Sequence, residues 1–566
     1  MSQAGTEAAV GEGSAMLGGG YKTPLEMFYQ WERSRPDRVY LRQSTGSGFR
    51  EFTWGEVGDQ ARRLASALKD KGYEPGTRIA LLSKNCAEWF IADLAIMLAG
   101  YVSVPLYPSQ HADTIAYTLR HCDARAIFVG RLDDWAAMES GIPGTAIRIA
   151  LPYETMPADH HWTDLLRLYE PLQESPLPQG DELMTIVYTS GTTGNPKGVM
   201  HSFGNFGFSC THAMGLLPLK DSDHFFSFLP LSHIAERFFV EGNSLYCGAQ
   251  VSFPASLESF AGDLVAVQPT IFFAVPRLWT KFQLGVLQKL PQKKLDWLLR
   301  IPILGSVVAR KIRTQLGLSR ARVVVSGAAP IALALLDWYQ RIGIPISEGY
   351  GMTENLAYGV INLPARYRRG TLGHINVMPH NEVKISPEGE ILFRSEALMQ
   401  GYYRDTQKTA EVLQEGYYHT GDQGEIDVDG FLRITGRIKD SFKTSKGKFV
   451  SPAPIEGLIS ENELVEQVCL VGRSLAQPLA LVELSETGRQ QPRESVKRSL
   501  EQTREAVNRR VEHHEHIDAF LIVSEPWTIE NAMMTPTLKI KRNRVEEVYQ
   551  RWIESGRTDT IEWESQ

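Results

Sequence analysis

Residues 188–199 read Tyr-Thr-Ser-Gly-Thr-Thr-Gly-Asn-Pro-Lys-Gly-Val, with the apolar Met184, Ile186 and Val187 just before them. An apolar run entering such a loop reads as a buried strand that delivers it to a sheet edge. Gly191, Gly194 and Gly198 free the backbone to turn and aim amide N–H groups at an anion. Thr189, Ser190, Thr192 and Thr193 add hydroxyls and Lys197 adds a charge, so the stretch predicts a nucleotide-phosphate loop. It is not the loop G-x-x-x-x-G-K-[ST], because Asn195-Pro196-Lys197-Gly198 stands where Gly-Lys-Ser/Thr is required. Pro196 lacks an N–H and resists helix continuation, so no helix N-terminus is expected to close the cradle.

The 566 residues exceed what one core organises and predict two or more domains. A hydrophobic content of 43% and an aromatic content of 10% describe a soluble globular chain. The net charge of −7 argues against a global nucleic-acid-binding surface, while ATP needs only a local basic patch. Cys86, Cys122, Cys210, Cys247 and Cys469 are odd in number and lack C-x-x-C spacing, which suggests a reducing cytoplasm and neither disulfides nor zinc. Residues 1–20, rich in Gly, Ala and Glu, read as a disordered tail rather than a signal peptide. No apolar run approaches the roughly 20 residues that span a bilayer.

From Tyr21 to about Leu177, helical periodicity alternates with short apolar strands, which predicts α/β layers with largely parallel strands. Ser83, Asn85 and Glu88 read as helix-capping residues, with ligand contact the alternative. Residues 276–320 are amphipathic and carry Lys289, Lys293, Lys294, Arg300, Arg310, Lys311 and Arg313. They read as a solvated pair of surface helices, with contact to an anionic membrane surface through 284–318 as the other reading. Gly327, Ala328 and Ala329 in Ser-Gly-Ala-Ala-Pro are small enough to let a flat purine approach the backbone. In Glu348-Gly349-Tyr350-Gly351-Met352-Thr353-Glu354, Tyr350 can stack on that purine, Thr353 can reach a phosphate, and Glu354 is a hard oxygen ligand for Mg²⁺. His513, His514, Glu515 and His516 read as a solvated helix rather than a metal site.

The string YTSGTTGNPKGV resembles the phosphate loop of the adenylate-forming, AMP-binding superfamily: acyl-CoA synthetases, peptide-synthetase adenylation domains and firefly-type luciferases. GTTGNPKG, SGAAP, EGYGMTE, YHTGD and GRIKD follow in the family's order, and the resemblance runs from about Pro24 to Arg544. LPLSHIAER and MMTPTLKIKR resemble bacterial long-chain fatty acyl-CoA synthetases most. It implies a large N-terminal domain, 21–437, of layered α/β subdomains plus a β-rich subdomain, and a small mobile α+β C-terminal domain, 438–566. The family reading places Asp422 and Arg437 on the ribose, His233 near the carboxylate, Lys439 at the hinge, Lys443 in the small domain and Lys539 as the catalytic lysine. Glu354 and Thr189 would hold Mg²⁺.

The implied reaction is ATP-dependent conversion of a medium- or long-chain fatty acid to acyl-AMP, with pyrophosphate release, then thioesterification to coenzyme A. Alternatives are an adenylate-former with another acceptor, such as a fatty-acyl-AMP ligase loading a carrier protein or a β-lactone synthetase, and a non-catalytic lipid-binding scaffold. A monomer and a homodimer are both compatible with the sequence. The expected location is cytoplasmic, with peripheral contact at the inner membrane face through 284–318.

Overall fold

The structure, a computed structural model, describes residues 20–153, 156–189, 195–535, 539–555 and 559–564. The expected tail 1–20, Gly20 apart, lies outside the described residues, as do Ser190, Gly191, Thr192, Thr193 and Gly194 of the phosphate loop.

Two eight-stranded sheets form the bulk of the chain. The first has the strand order 401–402, 197–202, 183–189, 102–106, 78–82, 126–129, 147–150, 160–161. Its strands from 183–189 outward to 160–161 are parallel, and only 197–202 runs against them, pairing antiparallel with 183–189 on one side and 401–402 on the other. Val102–Leu106 and Ala126–Val129 are buried throughout, as parallel strands covered on both faces must be. The second sheet has the order 360–362, 347–350, 323–326, 271–274, 224–226, 250–253, 39–44, 49–53, and only its two edge strands are antiparallel.

The helix Ala87–Leu98 packs against strands of both sheets, and all its 12 residues are buried. Apolar on every side, it has no face to offer to water. Its two carboxylates are paired, as buried charge requires. Asp93 takes two hydrogen bonds from Arg237 Nη2, at 2.9 and 2.8 Å, and a third from Ser103. Glu88 is held by Arg50 and the Tyr153 hydroxyl.

The expected capping roles of Ser83, Asn85 and Glu88 are corrected here: the N-cap is Cys86, with no side-chain cap. Asn85 instead secures the segment that follows the strand His224–Phe226. Its Nδ2 donates to Leu229 O at 2.6 Å and Ser227 Oγ at 2.8 Å, and its Oδ1 accepts from Leu231 N at 3.2 Å. Ser83 Oγ accepts from Arg131 N at 2.9 Å. Orphan backbone groups of other segments outcompete the helix's own first turn for these side chains.

Beyond this clamp lie Ile234–Glu236 and a π-helical turn, Arg237–Gly242. Glu236 Oε1 accepts from Ser227 Oγ at 2.8 Å and Phe228 N at 3.0 Å, and burial pushes its carboxyl up to about 8. Arg237, tied to Asp93, pins the π turn to the buried helix.

A smaller antiparallel sheet follows in the order 373–374, 431–437, 417–426, 390–394, 382–385. The last sheet has the order 465–471, 479–484, 520–522, 561–563. Period-two alternation gives it two apolar faces. Val468, Leu470, Val482 and Phe520 pack with the helices Pro452–Ile459 and Arg493–Asn508, whereas Cys469, Val471, Leu481 and Leu521 pack with Arg542–Val548. His513–Glu515 is a single 3₁₀ turn, shorter than the expected helix. The expected surface helix pair is three helices, Pro276–Lys289, Gln292–Leu299 and Pro302–Gln315, because Pro291 and Pro302 interrupt the pattern.

Because Glu236 binds its proton far more tightly folded than unfolded, the native state holds more protons between about pH 4.5 and 8. Its contribution is fully present below the unfolded value and is lost as pH rises toward 8. Denaturant titrations from pH 5 to 8.5 are expected to show the Glu236→Gln variant losing less stability than the parent, by ~2–4 kcal/mol; parallel pH curves would remove this role from Glu236.

Candidate active site

The strands Leu183–Thr189 and Lys197–Ser202 form an antiparallel hairpin, with Thr189 opposite Lys197 at its open end. The segment leaving the loop is thus a strand, as Pro196 dictates. Lys197 Nζ stands 5.5 Å from the centre of the Tyr402 ring. Burial lowers its pKa first, Lys408 and Lys439 lower it further, and Asp405 and Glu354 oppose them. The exposed Lys439 therefore lies within electrostatic reach of the loop.

Strand Ser347–Tyr350 brings the Glu348–Glu354 segment to the carboxyl end of the second sheet, where open α/β sheets bind ligands. A Cβ on Gly351 would lie 2.6 Å from the Ala357 backbone, too close for a side chain, whereas one on Gly327 would sit tightly, 3.2 Å from Gly349 O. Ala328, next to Gly327, has φ +68°. Burial pushes the Glu348 carboxyl up to about 7. Tyr350 donates its hydroxyl to Asp422 Oδ2 at 2.7 Å, and Arg437 Nε donates to Asp422 Oδ1 at 2.7 Å. Asp422 and Arg437 are cross-strand partners, so sheet register places them together.

Thr353 and Glu354 lie in the 3₁₀ turn Thr353–Asn355, held by two contacts from strands of the first sheet and one from Met399, just before its edge strand. His201 Nε2 donates to Thr353 O at 2.7 Å, the Tyr402 hydroxyl donates to Glu354 Oε1 at 2.8 Å, and Met399 N donates to Glu354 O at 2.8 Å. Burial pulls the His201 imidazole down to about 4, so it is neutral and its proton sits on the nitrogen facing the carbonyl. His201 and Tyr402 were not singled out from the sequence. His201 is the fourth residue after Lys197, and Tyr402 lies in the Gly-Tyr-Tyr-Arg-Asp stretch that reads only as part of a β-rich subdomain.

Lys539 completes the group from the far end of the chain. Its flanking Thr537 and Leu538 lie outside the described residues. The surrounding protein lowers its pKa by desolvation first and by Arg437 second, with Asp422 and Glu354 opposing. Its surface is nonetheless exposed, so it stands in a cleft open to water. His233, half-buried, is pulled down to about 4 by burial and then by Lys539. Its Nδ1 accepts from Ala235 N at 3.1 Å, which leaves Nε2 for other contacts.

The structure thus gathers Thr189, Lys197, Tyr350, Glu354, Asp422, Arg437, Lys439, His233 and Lys539 around one cleft. Lys443 is not among them: it lies exposed on the ribbon formed by 442–443 and 449–450, with Nζ 4.7 Å from the Phe449 ring centre. The small domain's strand Val465–Val471 meets the large one through an ion pair of Arg277 with Glu466 at 2.8 Å.

Among the described residues no three His, Cys, Asp or Glu side chains cluster to hold a metal ion. Glu354, with one oxygen taken by Tyr402 and Lys197 and Lys539 nearby, fits a Mg²⁺ that draws its remaining ligands from phosphate oxygens and water.

Residues 28–403 match the model of the AMP-binding enzyme family, and 439–559 match that of the AMP-binding enzyme C-terminal domain. The chain is 28% identical to long-chain-fatty-acid–CoA ligase FadD15 of Mycobacterium tuberculosis, over 94% of this chain and 96% of that protein. It is 30% identical to long-chain-fatty-acid–CoA ligase ACSBG2 of Xenopus laevis, over 79% and 67% of the two chains. Among solved structures it resembles the anthranilate CoA ligase AuaEII in complex with anthranoyl-AMP, with a TM-score of 0.79, 23% identity, and 94% and 98% of the chains covered. The adenylation domain of a carboxylate reductase from Mycobacterium chelonae superposes with a TM-score of 0.79 at 22% identity, over 94% and 90%. With the larger match alone spanning well over half its length, this chain belongs to the AMP-binding enzyme family.

Proposed function

We propose that the chain is an AMP-forming fatty acid–CoA ligase. It activates a medium- or long-chain fatty acid as the acyl-adenylate and then transfers the acyl group to the thiol of coenzyme A. The observation that carries this reading is Lys539, held in one cleft with Arg437, Asp422, Glu354 and His233. The full-length likeness to long-chain-fatty-acid–CoA ligases supports the choice of acid and acceptor.

The first half-reaction needs little covalent help from the protein. A carboxylate attacks the α-phosphorus of ATP and pyrophosphate leaves, so positioning and charge neutralisation dominate. In this reading Thr189, Ser190, Gly191, Thr192, Thr193, Gly194 and Lys197 orient the β- and γ-phosphates. Gly327, Ala328, Ala329 and the turn Glu348, Gly349, Tyr350, Gly351, Met352 hold the purine, and Asp422 with Arg437 holds the ribose. Thr353 reaches the α-phosphate. Glu354 with Thr189 holds Mg²⁺, which supplies charge neutralisation on the phosphate oxygens when bound. Lys539 bridges the attacking carboxylate and the α-phosphate, and His233 lines the carboxylate's side of the cleft.

We assign 21–437 to the large domain and 438–566 to the small one. The arrangement, with Lys539 at the site and Lys443 outside it, suits the adenylating step. In the second step the small domain rotates about Lys439, Lys539 withdraws, and Lys443's ribbon moves to serve the thiol. Lys439 is exposed, and among the described residues its own amide donates no hydrogen bond, so rotation there has to break only the short turn in which Asp440 N and Ser441 N donate to Arg437 O, at 3.2 and 3.0 Å. No described helix is long and apolar enough to cross a membrane; the location we propose, on the ground that a fatty acid partitions into lipid, is cytoplasmic and peripheral to the inner membrane face.

Lys539→Ala is expected to abolish fatty-acid-dependent ATP–pyrophosphate exchange, by at least ~10³-fold given the charge removed from the reacting centre. The lowered pKa of Lys539 places the alkaline limb of parental exchange below the ~10.4 of a free lysine; exchange fails as pH rises and the ammonium deprotonates. Near-normal exchange in the alanine variant would sink the assignment. For the hinge, Lys439→Pro is expected to leave exchange within about threefold of the parent while slowing acyl-CoA formation at least tenfold. Equal loss of both half-reactions would argue against the hinge.

A further inference from the structure

Residues 284–318 carry seven Lys and Arg against one acid, Asp296, a net +6 within a chain of net −7. Asp296 is itself neutralised from behind by Arg341 and accepts from Gln292 Nε2 at 2.6 Å. Among the described residues Lys289, Lys293, Lys294, Arg300, Arg310 and Lys311 form no ion pair with an acidic side chain.

Their placement is ordered. Along Gln292–Leu299 the core-facing residue is Leu295, and the exposed stripe is Lys293, Lys294, Trp297, with Arg300 at the C-cap. Along Pro302–Gln315 the core takes Gly305, Ala309 and Ile312, and the exposed stripe is Ile303, Val307, Arg310 and Lys311. The two helices pack on each other, and both turn these stripes to solvent. Trp297 is 60% exposed, Val307 59% and Ile303 83%, an unusual outlay of apolar surface. The cations recur beside it at helical spacing.

We propose that this face is a docking surface for an anionic phospholipid bilayer, with Trp297, Ile303 and Val307 entering the headgroup–acyl boundary and the flanking cations meeting lipid phosphates. A solvated helix explains the charge but not the three bare apolar side chains amid it. The cation excess matches a negatively charged surface, and a tryptophan flanked by lysines suits the interface, where an apolar ring and a wet edge are both satisfied. The contact rests on no step of the reaction, so it stands or falls apart from the ligase reading.

The test uses the full chain and co-sedimentation with vesicles, without ATP or acid. Vesicles of phosphatidylcholine alone are compared with vesicles carrying a third of phosphatidylglycerol. Binding to the anionic vesicles is expected, with at least tenfold loss in 0.5 M salt and at least tenfold loss in Lys293→Glu/Lys294→Glu/Lys311→Glu. Trp297→Ser/Ile303→Ser/Val307→Ser is expected to weaken binding about tenfold while keeping its salt dependence. Circular dichroism melts and activity on acid in solution, both expected unchanged, confirm that the variants fold. No binding to anionic vesicles, or binding that neither variant alters, would overturn the proposal. So would sedimentation velocity showing a dimer in the parent that both variants dissociate, which would assign the face to a second copy of the chain.

Discussion

The site depends on one electrostatic constraint: Lys197, Arg437, Lys439 and Lys539 converge on a cleft where Glu354 and Asp422 face Lys539, Asp405 and Glu411 lie near Lys197, and Asp440 lies near Arg437. Asp422 is already engaged on both oxygens, by Tyr350 and Arg437. The cleft therefore holds mutually repelling cations, and their repulsion adds to burial, the larger cause, in lowering the pKa values of Lys197 and Lys539. A polyphosphate relieves that repulsion, and so does the charge that builds between a carboxylate and an α-phosphate. Binding energy is in this way directed to the reacting centre rather than spread along the substrate.

Rigid parts hold the constraint in place. His201 and Tyr402 fix the turn that carries Glu354 from beneath, through a backbone carbonyl and a carboxylate oxygen. On the other side, Asn85, Glu236 and the Asp93–Arg237 pair hold the segment from which His233 projects. These groups lie in the core around Ala87–Leu98, where an unpaired charge would be costly, so each is engaged by a different element. The same buried network that allows a wholly buried helix to carry two carboxylates also ties the two sheets together.

Much of this was legible in the sequence. Apolar runs before Thr189 and Ser326 gave strands, and Pro196 ruled against a helix after the phosphate loop, though it did not show that the strand there pairs back as a hairpin. The motif order placed Glu354, Asp422 and Arg437 together before any coordinates. The uses of Asn85, Glu88 and Ser83 were not legible, because a polar side chain at a helix start satisfies its own turn or a distant strand according to tertiary packing alone. His201 and Tyr402 were hidden for a related reason: each acts through a contact more than 45 residues away in sequence, on a turn neither adjoins. The π turn at Arg237–Gly242 has no periodicity to set it apart from a helix, and its first residue, Arg237, is tied to Asp93.

The most direct test of the account is AMP release from ATP over a panel of carboxylates, with and without coenzyme A. The account predicts that medium- or long-chain fatty acids release AMP in multiple turnovers, one for each coenzyme A consumed, and essentially none in its absence, when the nucleotide stays bonded in the acyl-adenylate. Sustained AMP release that ignores coenzyme A, or none with any fatty acid, would contradict it.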